Sequence, residues 1–416
     1  MELRCENLKS LSHFMATLSM KYRSRPSHHL FPNLQSFVWE SQETQVSLAH
    51  LFLPPSLRCL ELDFDYMMQP GARTILLFLE CQNIQLTQLC IRISPSDGSP
   101  RMLAAVLQAL KSRSCQQLGI LDCGLVDESI LSYLAQLPTL KDLSVELRAS
   151  ISNTIASNKG FANLQALSLD AGGGGGIGAV ISFLEVWSAQ LSLYSIAITF
   201  SAARESQIWL PSVQQVISRI SNGLCRSSLT RIEIRNGGFN LTGRVHAPLD
   251  ITTLRPLLSF SKLEHLRLNV ICSVDLNDDN LTELANAWPR LKTLVLNEYN
   301  GWQRTSGISF TGLATLLRAC PLLEELALSI DATQLTFAST TRSGEEIRND
   351  KITTIGLGDS TIDNPAAVAS ILRGLFRALT AVTHFGFCAS YDDMVPLWDE
   401  VNSLLVRTRK QELEHA

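Results

Sequence analysis

The sequence lacks the motifs that mark many enzymes and metal sites. It contains no Cys-x-x-Cys pair, no His-Glu-x-x-His and no Gly-x-Ser-x-Gly, which are patterns of redox or zinc sites, zinc proteases and serine hydrolases. We therefore expect no catalytic residue, no metal and no cofactor. Neither sign of charge is in large excess, since the formal net charge is -4. This balance gives no general reason to expect nucleic acid or an anionic membrane as a partner.

Long apolar runs are missing as well. A membrane-spanning helix needs about 18 apolar residues, and Glu185 interrupts the best candidate, between Ile177 and Trp187. The N-terminus lacks the basic segment and apolar stretch of a secretory signal. Most of the ten cysteines lie within apolar segments, where a free cysteine behaves as a small hydrophobe. We therefore predict free thiols in an intracellular protein, cytoplasmic or nuclear.

What the sequence does contain is one short phrase, repeated thirteen times. It consists of an aliphatic residue, two variable residues, an apolar residue, one variable residue and another apolar residue, as in Leu164–Leu167–Leu169. This phrase is the strand signature of the leucine-rich repeat, and spacings of 22 to 36 residues leave room for a helix after each strand. The thirteen copies begin at Leu34, Leu57, Leu86, Leu118, Leu140, Leu164, Leu193, Leu229, Leu263, Leu291, Leu323, Ile352 and Val382.

Apolar residues at helical spacing occupy the intervals between the phrases. Three of these helices have a predicted N-capping residue at their start: Asp127, Asp279 and Asn364. The predicted helices are Glu128–Gln136, Ala179–Gln190, Leu210–Gly223, Asn280–Trp288, Thr311–Cys320 and Ala366–Leu379.

Strands that alternate with helices predict an α/β fold. We expect a right-handed leucine-rich-repeat solenoid, a horseshoe of about thirteen strand-helix repeats with a concave parallel sheet. Residues 34–391 would form the solenoid. Residues 1–33 would be a degenerate N-terminal cap or linker, and residues 392–416 a C-terminal capping helix and tail.

Two repeat junctions carry a family resemblance. Cys123 ends a strand in Gly119-Ile-Leu-Asp-Cys-Gly-Leu, and Cys320-Pro321 joins a helix to the next strand in Leu316-Leu-Arg-Ala-Cys-Pro-Leu-Leu. These segments resemble the cysteine-containing subtype of leucine-rich repeat, typical of F-box/leucine-rich-repeat proteins. The segment that starts at Leu30 is similar to the start of the repeat array in fungal members. The resemblance implies a substrate receptor of a ubiquitin ligase, with ligase adaptor and cullin as possible partners. No F-box is recognisable in the residues before Leu34.

A glycine run at 172–178 lies between a predicted strand and a predicted helix. A phosphate-binding loop would occupy this position, but it would end in Gly-Lys-Ser/Thr, whereas the sequence reads Gly176-Ile177-Gly178. We interpret the run as a flexible loop between strand and helix.

Outward-facing strand positions of the middle repeats form the predicted binding site. Every second residue of a strand points to the same side, and Arg and aromatic residues are common anchors of interfaces. Equivalent positions in earlier repeats are acidic: Glu61, Asp63, Asp65, Asp142, Glu146 and Asp170. The predicted partner-binding residues are Arg231, Glu233, Arg235, His265, Arg267, Asn269, Thr293, Asn297, Tyr299 and Trp302.

Long segments after three strands, at 236–250, 297–309 and 334–351, would lie at one edge of the array, and insertions on one face often mark a binding face. The sequence thus predicts a non-enzymatic protein-interaction scaffold that holds a protein on its concave face, with no nucleic acid or membrane partner. One alternative is a stand-alone inhibitor or structural scaffold with no connection to ubiquitin. Another is that the outward charges are only a solvated surface, since exposed strand positions must be polar.

Overall fold

A computed structural model of the chain describes residues 2–5, 29–41, 52–64, 75–77, 79, 84–93, 100–147, 150–151, 160–172, 176–200, 209–236, 248–270, 272–298, 301–335, 346–384 and 393–415. The chain divides into two compact units, Met1–Leu193 and Tyr194–Ala416.

The first unit contains a parallel sheet whose described strands follow chain order. Helices alternate with the later strands. The strands are β1 (Glu2–Cys5), β2 (Ser36–Ser41), β3 (Cys59–Phe64), β4 (Gln88–Ile93), β5 (Ile120–Val126), β6 (Asp142–Leu147) and β7 (Ala166–Asp170). The helices are α1 (Pro100–Lys111), α2 (Glu128–Leu134) and α3 (Gly176–Trp187).

The second unit repeats this arrangement. Its parallel sheet has the order β8-β9-β11-β13-β14-β15-β16, and β10 pairs with β12 in a separate short ladder. The strands are β8 (Ser195–Phe200), β9 (Arg231–Asn236), β10 (Leu249–Asp250), β11 (His265–Asn269), β12 (Val274–Asp275), β13 (Thr293–Leu296), β14 (Glu325–Ala327), β15 (Thr354–Gly358) and β16 (Ala381–His384). The helices are α4 (Trp209–Gly223), α5 (Ile251–Leu254), α6 (Asp278–Ala287), α7 (Phe310–Ala319), α8 (Pro365–Leu375) and α9 (Val395–His415).

Parallel strands that alternate with helices confirm the predicted α/β fold, consistent with a leucine-rich-repeat-like solenoid. The repeated phrase supplies the core, since its three apolar positions are buried in copies such as Leu263–Leu266–Leu268. Burying one such leucine stabilises the fold by about 1.5–3 kcal/mol. The residues between them are partly exposed, as the alternating burial along β6, β7, β8 and β11 shows.

Helix boundaries agree with the predictions to within a few residues. Asp127 and Asn364 cap α2 and α8 through their side chains, as predicted. The cap of α6 is Asn277 rather than Asp279, because Asn277 and Asn280 form a reciprocal capping box in which each side chain accepts from the other's backbone N–H.

The last copy of the phrase begins at Leu379, so the predicted start at Val382 was wrong by three residues. Val382 pairs with Ile355, which is the second apolar position of its own phrase. The first position is therefore Leu379, which is buried. The structure also adds a strand that the phrase did not reveal, because β1 pairs with β2 in parallel.

Helix α9 covers the outer edge of the last strand. The Asn402 side chain accepts a hydrogen bond from the Val382 N–H at 2.8 Å and donates one to the Val382 carbonyl at 2.9 Å. One amide thus takes the place of a neighbouring strand. Trp398, on the same helix, is fully buried and donates its indole N–H to the Ser360 carbonyl.

Candidate functional site

Strand register places most of the predicted site residues of the second unit in rows. Arg231, His265 and Thr293 lie side by side on β9, β11 and β13. In the next row, Glu233 lies beside Arg267. We call this surface the charged face, defined by Arg231, Glu233, Arg235, His265, Arg267, Thr293 and Glu325.

An ion pair crosses the charged face. The Arg267 guanidinium bonds the Glu325 carboxylate, although β13 lies between their strands. Thr293 and Val295, on β13, are only 5% and 0% exposed despite their outward positions. These side chains are therefore covered, and Thr293 is not a freely exposed binding residue. Glu325 was missed by the sequence prediction, although it occupies the same alternate strand position as the predicted residues.

Arg235 is also held by its neighbours. Its Nη1 lies 3.4 Å from the Glu233 carboxylate, and its Nε donates to the Thr199 hydroxyl at 3.1 Å. Its side chain nevertheless remains 56% exposed. Asn269 lies opposite Arg235 in the ladder, and its buried Oδ1 has no hydrogen-bond partner among the described residues.

His265 belongs to a hydrogen-bonded chain on this face. Its Nδ1 lies 3.0 Å from the Thr293 hydroxyl, which donates to the Glu325 carboxylate at 3.4 Å. Since a carboxylate can only accept, the Thr293 hydroxyl directs its proton to Glu325 and accepts from the His265 Nδ1–H. Burial lowers the pKa of His265, and the cations of Arg231 and other nearby residues lower it further. Both effects favour the neutral form of the ring.

Two predicted residues belong to the interior and are removed from the binding site. Trp302 is fully buried and donates its indole N–H to the Leu296 carbonyl at 3.0 Å. Asn297 is 2% exposed, accepts from the Val270 N–H and donates to the Cys272 carbonyl. Both side chains fold the segment after β13 onto the core, so neither is available to a partner.

Asp359 anchors the same segment. Its two carboxylate oxygens accept the backbone N–H groups of Trp302 and Gln303, each at 2.8 Å. A Cβ on Gly301 would lie 2.7 Å from the Asp359 Oδ2, and Gly301 has a positive φ of 63°. Only glycine fits this close approach without strain.

Some predicted residues lie outside the described part of the chain. These are Tyr299 in the predicted site and Asp65 in the acidic set. Most of the first long segment, 237–247, and the middle of the third, 336–345, are also outside it.

The exposed face of the first unit has the opposite charge. Arg92 reaches Glu61 at 2.6 Å, Asp122 at 3.6 Å and Asp63 at 3.9 Å. Asp142, Glu146 and Asp170 add three further carboxyl groups on strands β6 and β7. Asp122 was not among the predicted acidic residues, although it occupies an equivalent outward position, next to Cys90 in the ladder.

Glu146 is the most perturbed acid of this face. It lies opposite Asp170 in the ladder, and its Oε1 is buried without a hydrogen-bond partner among the described residues. Burial, and then the nearby Asp170 carboxylate, raise the pKa of Glu146 to about 7. The carboxyl group thus holds its proton up to neutral pH.

The glycine run has an acidic neighbour. The Gly172 N–H, which a phosphate loop would direct at its ligand, donates to the Asp170 carboxylate at 2.8 Å. An acid at this position would repel a phosphate. Residues 173–175 lie outside the described part of the chain.

Seven cysteines are free thiols: Cys59, Cys90, Cys115, Cys123, Cys225, Cys272 and Cys320. Burial raises the pKa of the Cys115, Cys123, Cys272 and Cys320 thiols to about 12. Hydrogen bonds from Ser227, and then from Ser228, lower the pKa of Cys225 to about 7.

Two kinds of feature are absent from the residues that the structure describes. No cluster of three or more His, Cys, Asp or Glu side chains is arranged to hold a metal ion there. Over the same residues, none of the helices has both the length and the apolar character needed to span a bilayer.

Comparison with known proteins gives no family assignment. No protein-family model matches the chain, and no curated protein matches it.

Proposed function

We propose that the chain is a non-enzymatic protein-interaction scaffold that holds a protein partner on the charged face. The observation that supports this proposal is that cross-strand bonds hold charged side chains of this face in fixed positions. Its charged side chains lie on paired strands, and cross-strand bonds to Glu325 and Thr199 fix the positions of Arg267 and Arg235. A site whose side chains are already ordered loses less entropy on binding.

Stability alone does not account for these groups. Exposed ion pairs contribute only about 0–1 kcal/mol each, and the core is formed by the apolar positions of the repeats. Arg235 remains more than half exposed although it is held in place. Exposed, oriented arginines are typical anchors for a protein partner.

Affinity capture from a cell extract, followed by mass spectrometry, tests the proposal. The informative variant carries Arg231→Glu and Arg235→Glu, and a matched control carries Arg318→Glu and Arg377→Glu. The control residues are also exposed, on helix α7 and in the turn after α8. We expect the first variant to lose the captured partner and the control to retain it, both with the wild-type melting temperature. Equal capture by the two variants would reject the charged face as the site.

The narrower form of the proposal is a substrate receptor of an F-box-type ubiquitin ligase. It rests on the resemblance of the repeat junctions at Cys123 and Cys320, and the stand-alone scaffold is the competing form. Ligase adaptor and cullin among the captured proteins would favour the receptor. A different protein, recovered in stoichiometric amount without them, would favour the stand-alone scaffold.

A further inference from the structure

Arg231 differs from the other arginines of the charged face because it has no acidic partner in the described part of the chain. Arg267 is paired with Glu325, and Arg235 with Glu233. Arg231 is exposed and forms no ion pair with any other described residue. The face thus presents one guanidinium whose charge no described acidic side chain neutralises.

The residues beside Arg231 do not supply an anion either. The ladder places Ser195 on one side of it and His265 on the other. His265 uses its Nδ1–H for Thr293, so its Nε2 is an acceptor and the ring carries no negative charge. Glu233 lies two residues along the strand and is held by Arg235.

The surroundings of His265 indicate a positive local field. Burial is the largest cause that lowers the pKa of His265; in addition, the cations of Arg231, Lys292 and Arg267 act to lower it, and Glu264 is the acid that opposes them. Glu264 is itself bonded to Lys292 at 2.7 Å and to Arg290 at 3.3 Å. An anion that arrived beside Arg231 would be attracted by this field.

We propose that Arg231, beside His265, is the anchor for a carboxylate-bearing segment of the protein partner. This inference rests on the proposed function and names the chemistry of the partner: a segment rich in Asp or Glu. A guanidinium matches a carboxylate because two parallel N–H groups can bond its two oxygens. Nucleic acid fits less well, since it requires many cations along a backbone and the other two arginines of this face are already paired.

The test measures binding of a fluorescein-labelled peptide of ten alternating Glu and Gly residues to the full chain by fluorescence anisotropy. A peptide with Gln in place of Glu is the uncharged control. The variants are Arg231→Gln and, as a matched control, Arg318→Gln. We expect the wild type to bind the Glu peptide at least about five-fold more tightly than the Gln peptide, as expected for about 1 kcal/mol from one ion pair. Arg231→Gln should remove this preference, and Arg318→Gln should keep it.

Three outcomes of the binding measurements would overturn the inference. These are equal binding of the two peptides, an unchanged preference in Arg231→Gln, and tighter binding of a single-stranded oligouridine than of the Glu peptide. Failure of the proposed function gives a different result. In that case the variant with Arg231→Glu and Arg235→Glu still captures the partner. If capture is lost in the double reversal but unchanged in Arg231→Gln, the charged face remains the site and the carboxylate anchor is wrong.

Discussion

Replacing Glu146 by Gln should stabilise the first unit at alkaline pH and leave it little changed at acid pH. In the folded chain Glu146 lies opposite Asp170, with a buried oxygen that has no hydrogen-bond partner among the described residues. Its pKa is raised from an ordinary 4.5 to about 7. The folded state therefore binds a proton that the unfolded state releases between these two values. Stability must fall as pH rises from about 4.5 through about 7, and the penalty is complete above that.

The size of the effect follows from the pKa. At 1.36 kcal/mol per pH unit, a rise from 4.5 to about 7 corresponds to at most roughly 3.4 kcal/mol. Glu146 is only partly buried, so solvent screening reduces this value, and we expect about 1–2 kcal/mol. A unit of this size changes its melting temperature by about 2–4 °C per kcal/mol. The Gln variant should thus melt roughly 2–8 °C above the wild type at about pH 8.5.

Thermal unfolding followed by circular dichroism at about pH 5 and pH 8.5 measures this difference. Glu61→Gln is the matched control, because Glu61 lies on the same face but is bonded to Arg92 at 2.6 Å. Loss of that pair should leave the melting temperature unchanged or slightly lower at both pH values. The reasoning is refuted if Glu146→Gln shifts the melting temperature equally at both pH values, or lowers it at pH 8.5.

Four further outcomes are expected. Trp302→Ala should destabilise the second unit by about 3–5 kcal/mol, because it leaves a cavity at a fully buried site. Thermal or urea unfolding measures this loss, and a change below about 1 kcal/mol would contradict the packing. Asn402→Ala should lower the free energy of unfolding by about 1–3 kcal/mol and speed amide hydrogen exchange in β16, because it leaves the Val382 N–H and carbonyl unpaired. Unchanged exchange would show that the Asn402 amide does not protect the edge of β16. In an NMR titration the pKa of His265 should lie below its usual value, and Arg231→Gln should raise it, since Arg231 acts to lower it. Iodoacetamide at neutral pH should modify Cys225 before Cys115, Cys123, Cys272 and Cys320, because Cys225 is only partly buried and hydrogen bonds stabilise its thiolate. Earlier labelling of one of the four buried thiols would refute this.

Much of the fold could be predicted because the apolar positions of the repeated phrase indicate which side of each strand is buried. A period of two fixes the inward and outward positions once a single apolar position is placed. The phrase failed at the last copy, where two registers compete. Val382, Phe385 and Phe387 match it in sequence, whereas the true copy, Leu379–Val382–His384, ends in a polar residue. Apolar pattern alone favours the wrong register there.

The candidate site was predicted less completely, because its contacts join distant parts of the chain. Arg267 and Glu325 meet across an intervening strand, a pairing that no local pattern contains. The burial of Trp302 depends on a segment whose backbone takes positive φ at Asn297 and Gln303. Such conformations are uncommon outside glycine, and they turned a predicted binding loop into a part of the core.

Photocrosslinking tests most directly whether the charged face holds a partner. One variant carries the photoreactive residue p-benzoylphenylalanine at position 195, which lies beside Arg231 in the β8–β9 ladder and samples the charged face. A control variant carries the same residue at position 318, on helix α7, outside the charged face. After incubation with cell extract and irradiation, we predict one dominant crosslinked protein from position 195 and none of that protein from position 318. Crosslinks to it from position 318 alone, or equally from both positions, would contradict a partner-binding role for the charged face.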